Sequence, residues 1–159
     1  MPGYRAHLVG GVVLYGISIY LLRSFCGSVF VAAEWLIFAL VGSLFPDLDT
    51  KSKGQGYLYQ ILLIAMIILA IQRKFLIMAF LSIASFIPIV ARHRGLFHSL
   101  AFIVAFAVSI ALVVLFYVPE YKYVVMFDAI FFIIGAFSHL SLDYIVTALK
   151  GNNVCESGN

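Results

Sequence analysis

Arg92-His93-Arg94-Gly95-Leu96-Phe97-His98-Ser99 leads directly into Leu100-Ala101-Phe102-Ile103-Val104-Ala105-Phe106-Ala107-Val108-Ser109-Ile110-Ala111-Leu112-Val113-Val114-Leu115-Phe116-Tyr117-Val118, a run with no charged side chain. Reading these two blocks together decides the fold. The run is close to the ~20 residues that carry a helix across hydrocarbon. The block before it crowds two histidines, two arginines and a serine together, in a chain with only four histidines and 11% charged residues. Such groups are costly beside lipid unless they are paired, metal-bound or facing water, so the cluster marks a candidate site.

Outward from there the same pattern repeats. Apolar runs cover Tyr4 to Leu22, Val29 to Phe45, Tyr57 to Ile71, Phe75 to Ala91, His98 to Val118 and Tyr123 to Leu149. The expected fold is therefore all-α, a polytopic membrane bundle of about six helices. The second run should stop before Pro46, because a residue preceding proline is pushed out of helical geometry. Residues 1–150 form one integral domain, and 151–159 a short polar tail expected to be mobile. The composition, 64% hydrophobic, supports a bilayer rather than a soluble core. A net charge of +3 is too small and too dispersed to suggest nucleic acid. Cys26 and Cys155 stand alone, so neither a thiolate metal site nor a disulfide framework is indicated. Arg5 precedes an apolar run, but His7 and Gly10-Gly11 interrupt it, so the first helix is read as retained rather than as a cleaved signal.

Counting crossings sorts the polar residues. His7 starts on one face, and the second helix returns to deliver Asp47 and Asp49 there. Each later pair of helices comes back to the same side, delivering His93 and His98, then His139 and Asp143. That face also carries Arg5, Lys51, Lys53, Arg92, Arg94 and Lys150, against Arg23, Arg73, Lys74 and Lys122 opposite. The excess places the shared face in the cytoplasm.

His139 and Asp143 are spaced i, i+4, so both project from one helix face, as two ligands of one metal or as an ordinary hydrogen-bonded pair. Pro46-Asp47-Leu48-Asp49 reads alone as a polar helix stop. Gly95 permits a bend between His93 and His98, and Ser99 is placed to cap the following helix. Gly10 and Gly11 let a neighbouring helix approach the His7 face. Glu34 and Asp128 fall toward the opposite face and are read as pairing locally or reaching the interface. The 15 Phe and 9 Tyr are read as lipid-facing and interfacial surface. Together the imidazoles and carboxylates suit zinc, manganese or iron, with enough donors for two ions. Paired metals activate water and offset the charge of a phosphoryl transition state. Arg92 and Arg94 could grip phosphate oxygens bidentately, or anchor the loop at anionic lipid.

His7-Leu-Val-Gly, Pro46-Asp47-Leu48-Asp49, His93-Arg94-Gly95-Leu96-Phe97-His98-Ser99 and His139-Leu-Ser-Leu-Asp143, in this order, resemble the YdjM-like inner-membrane metal-dependent hydrolases. Where that pattern commonly has a threonine before the second histidine, this chain has Phe97. The resemblance implies metal ligation by His7, Asp47, His93, His98, His139 and Asp143. It also implies a remote similarity to zinc-dependent phospholipase C and related nucleases, and through it a phosphoester substrate. The resulting expectation is a hydrolase of the bacterial inner membrane acting on a phospholipid or polyprenyl phosphate. Asp47 is expected as a ligand or bridge, Asp49 as a further ligand or general base, and Arg92 and Arg94 as the phosphate grip.

Two other readings stand beside it. One is a non-catalytic protein whose metal clamps helix ends or which binds a partner. The other is a metal transporter, weakened because transport sites usually lie near the bilayer midplane. Zincins, di-iron desaturases and phosphatidic acid phosphatases fit worse. There is no His-Glu-x-x-His and no Pro-Ser-Gly-His block, and four histidines are too few for desaturase boxes.

Overall fold

The computed structural model describes residues 3–49, 53–75, 78–79, 81–83, 85 and 97–156, with backbone only at 48–49, 53–54 and 150–156. The described chain is helical throughout its elements and has no strand. Helix α1 is Tyr4–Leu21, α2 Val29–Leu44 and α3 Lys53–Ile71. A fourth helix, α4, contributes the helical residues at 75, 78–79, 81–83 and 85. Helices α5, Leu100–Tyr117, and α6, Lys122–Glu156, complete the six.

Each boundary has a local cause. The Ser28 hydroxyl accepts from the Val31 N–H at 3.3 Å and starts α2. At the other end α2 does not simply stop before Pro46. It tightens into a 3-10 turn over Phe45–Asp49, which proline's fixed φ allows. Arg73 takes φ 56, and the Lys74 N–H reaches back to the Leu69 carbonyl at 2.9 Å, closing α3. Ser99 is the N-cap residue of α5, but its side chain makes no capping hydrogen bond, contrary to expectation. Only its carbonyl serves the helix, accepting from the Ile103 N–H at 3.1 Å. Helix α6 runs past the expected end at Leu149, through Gly151 to Glu156, because no proline interrupts it.

Among the described residues, three helical stretches are long and apolar enough to cross a membrane: Val29–Asp47, Leu100–Tyr117 and Pro119–Leu149. Gln55–Ile71 is apolar but shorter. Large apolar side chains such as Phe30, Ile37, Leu112 and Phe116 point outward, as lipid-facing surface does.

The centre of the bundle is the pair α2 and α6, on which α1 and α5 lean. Small residues make the seam. A Cβ on Gly42 would strike the Phe132 carbonyl, and one on Gly135 would strike the Ala39 carbonyl. Without a hydrophobic drive between helices in lipid, such close backbone approach is what holds the pair. Gly11 of α1 faces Ser43, and Gly10 faces Ser138 and Leu142, so α1 seats against both. Tyr15 also donates to the Ala32 carbonyl at 2.7 Å.

The aromatic load is not only lipid-facing. Phe45, Phe97, Phe131 and Phe132 are buried, and Trp35 stacks on Phe131 with centroids 4.8 Å apart. Phe97 is 1% exposed and packs edge-on to Phe102 and against Phe45. Its ring ties the turn after α2 to α5.

Candidate metal centre

Four elements bring five of the predicted residues to one place. His7 comes from the first turns of α1 and Asp47 from the 3-10 turn after α2. His98 stands just ahead of α5, and His139 and Asp143 lie one turn apart on α6. His7 and His139 are essentially enclosed, at 1% and 0% exposure, while Asp47 and Asp143 keep a narrow outlet at 15% and 17%. Arg92, His93 and Arg94 lie outside the described residues, as does the side chain of Asp49.

The seam sets the orientation of His139. Because α2 and α6 touch through Gly42 and Gly135, the Ser43 carbonyl comes within 2.7 Å of His139 Nδ1. A carbonyl only accepts, so Nδ1 carries the proton and Nε2 presents a lone pair. That lone pair faces two carboxylates, Asp143 Oδ2 at 3.5 Å and Asp47 Oδ1 at 3.7 Å. Asp143 Oδ1 is 3.7 Å from His7 Nε2, and its Oδ2 is 3.8 Å from His98 Nε2.

These separations are too long for hydrogen bonds, which fall near 2.7–3.2 Å. His139 Nε2, Asp143 Oδ1 and both nitrogens of His98 are buried without a hydrogen-bond partner. Leaving such groups unsatisfied costs about 1–3 kcal/mol each. Two ligands bound at about 2.1 Å in a tetrahedral shell stand roughly 3.4 Å apart, which matches this spacing. Among the described residues no lysine or arginine is within ion-pair reach of Asp143. The rings of His7 and His139 stack at 3.7 Å and 13°, so charging both would set like charges face to face in a buried site.

Two overlapping donor groups result: His7, His139 and Asp143, and Asp47, His98 and His139, each within 4.8 Å. Both draw on the one free nitrogen of His139. The five residues therefore describe a single centre. A second ion would need a bridging carboxylate and donors beyond these five.

The counting of crossings anticipated this convergence. What it missed is the Ser43 carbonyl that fixes the tautomer, since a backbone acceptor leaves no residue signature. The small residues Ala39, Gly42, Ser43, Gly135 and Ala136 were the available clue.

Comparison with known families agrees with this arrangement at the level of the whole chain. The family model for the YdjM inner membrane protein matches residues 1–151. The chain belongs to the YdjM inner membrane protein family. The YdjM match covers all five residues of the centre, and its inner-membrane description fits the three apolar spans. No curated protein and no solved structure matches the chain.

Glu34 and Asp128 are the acids outside this centre that the sequence placed elsewhere. Asp128 is buried and within electrostatic reach of Glu34, with no imidazole grouped with it among the described residues. Two carboxylates do not pair, and Asp128 Oδ1 has no hydrogen-bond partner, so Asp128 does not make the expected local pair.

Proposed function

We propose that this protein is a membrane-embedded, metal-dependent hydrolase that cleaves a phosphoester of a lipid or lipid-linked substrate. The observation that carries the reading is the buried Nε2 lone pair of His139, fixed by Ser43 and aimed at Asp47 and Asp143. A buried imidazole nitrogen and carboxylate oxygen that face each other without a hydrogen-bond partner are both satisfied by a cation held between them.

His7, Asp47, His98, His139 and Asp143 would hold that cation. Zinc suits this nitrogen and oxygen set, with manganese or iron as alternatives. Once bound, the ion would polarise a water and offset charge on the phosphoryl group. The chain's own residues do the rest. Asp49 is assigned the proton of the attacking water as general base, and Arg92 and Arg94 the phosphate oxygens. His93 is assigned as a further ligand. The excess of lysine and arginine on the site's side supports a cytoplasmic orientation.

A second reading has its own observation. The donors come from four separate elements, so a cation here would also clamp helix ends without any turnover.

The two are separated by loading detergent-purified protein with zinc, manganese or iron(II) and assaying soluble and lipid phosphoesters. Hydrolysis of a lipid phosphoester that chelation abolishes and metal restores is expected. Protein that holds metal and turns over nothing across the panel would overturn the hydrolase reading in favour of the clamp.

A further inference from the structure

A cavity of 560 Å³ lies between α2, α3, α5 and α6, with Leu81 and Ser85 of α4 also in its wall. Its described lining is almost wholly hydrocarbon, with Asp128 the one carboxylate among the described residues. Interiors otherwise pack with few voids larger than a water. An apolar void does not hold water, because water needs polar partners there. In a bilayer, hydrocarbon chains are what remain to fill it.

Its position says which hydrocarbon. Phe45 lines the cavity and immediately precedes Pro46-Asp47, so one end abuts the metal centre. Phe132, also in the wall, sits on the same face of α6 as His139, two turns away. On α6 the wall runs from Phe132 to Val125, about 10 Å at 1.5 Å per residue. One leaflet of a bilayer is about 15 Å deep, half of the ~30 Å hydrocarbon core. The cavity thus begins one residue before Pro46-Asp47 and fits within the depth of a single leaflet. Its volume also falls in the ~300–1,000 Å³ range of ligand sites.

We propose that this cavity seats one hydrocarbon chain of the lipid substrate, the phosphoester lying at His139 and Asp143 and the chain descending past Phe45 and Phe132. The assignment rests on the hydrolase reading for its choice of lipid, but not for the occupancy of the cavity. Ala107, Ala111 and Ala129 leave the room that the chain takes. Specificity then follows from chain length and bulk in the cavity as much as from the head group.

The test is photocrosslinking of the full chain in nanodiscs, with phosphatidylglycerol carrying a diazirine midway along one acyl chain. Labels mapped by mass spectrometry should fall on the buried Phe45, Ala107 and Phe132, and Ala111→Trp should cut that labelling at least fivefold. Labelling confined to outward residues such as Leu112 and Phe116 would overturn the proposal. If Ala111→Trp does not fold, the wild-type label positions decide alone. Where lipid phosphoester hydrolysis is measurable, the ratio of long-chain to short-chain kcat/KM should fall at least tenfold in Ala111→Trp. Buried labels in a protein without turnover would sink the hydrolase reading and leave the chain site standing.

Discussion

The α2–α6 pair carries an acid toward each end, and the two ends behave differently. Asp143 and Asp128 are about 22 Å apart along α6. Around Asp143 stand three imidazoles at 3.5–3.8 Å, delivered by three elements, with Asp47 from a fourth. Beside Asp128 there is Glu34, and the surroundings are the apolar cavity wall and the Trp35–Phe127–Phe131 stack next to it in sequence. Asp128 is buried, and Asp143 keeps only a narrow outlet at 17% exposure. Convergence of lone pairs at ligand spacing belongs to one. The lesson is that a buried carboxylate in a membrane marks a cation centre only when nitrogen donors share its space.

The largest effect should come from breaking what both ends share. In Gly135→Val the added side chain meets the Ala39 backbone carbonyl, which cannot give way as a side chain does. The cost should exceed the ~1–3 kcal/mol of ordinary overpacking. Size-exclusion chromatography in detergent should show no folded, monodisperse protein. A folded variant with normal metal content would show that the seam does not position His139.

A smaller loss should follow from loosening the histidine end alone. Phe97→Ala removes a ring held by Phe45 and Phe102, and truncating a buried Phe costs about 3–5 kcal/mol in a tight core. A thermal melt should drop clearly, while the Trp35 cluster at the other end keeps its near-ultraviolet signal. Loss of both together would mean the ends are not separate packing units.

The smallest effect should come from Asp128→Asn. It keeps the shape and replaces the carboxyl at the end where no described imidazole stands. Metal content should match wild type, and stability should move by less than about 1 kcal/mol. A fall in metal content would erase the contrast between the two acids.

Much of this was legible in the sequence for a plain reason. Apolar runs broken by polar turns suggest a chain that goes out and back, and that reading grouped His7, Asp47, His98, His139 and Asp143, which the structure brings together. The His139/Asp143 spacing then fixes their shared helix face. What was not legible depended on contact rather than pattern. The Ser43 carbonyl acts through backbone geometry. The hydroxyl of Ser99 caps nothing although its type favours capping. The phenylalanines divide between lipid and core according to neighbours that composition does not name. The 3-10 turn at Phe45–Asp49 tilts Asp47 inward where a polar helix stop was the simpler reading.

The most direct test of the account is metal stoichiometry by elemental analysis of detergent-purified wild type and His139→Ala, after loading and removal of excess ion. The account predicts about one tightly held divalent ion per chain, or more, in wild type. His139→Ala should retain less than about a tenth of that, since both donor groups lose their common nitrogen. Equal metal content in the two proteins, or none in wild type, would contradict it.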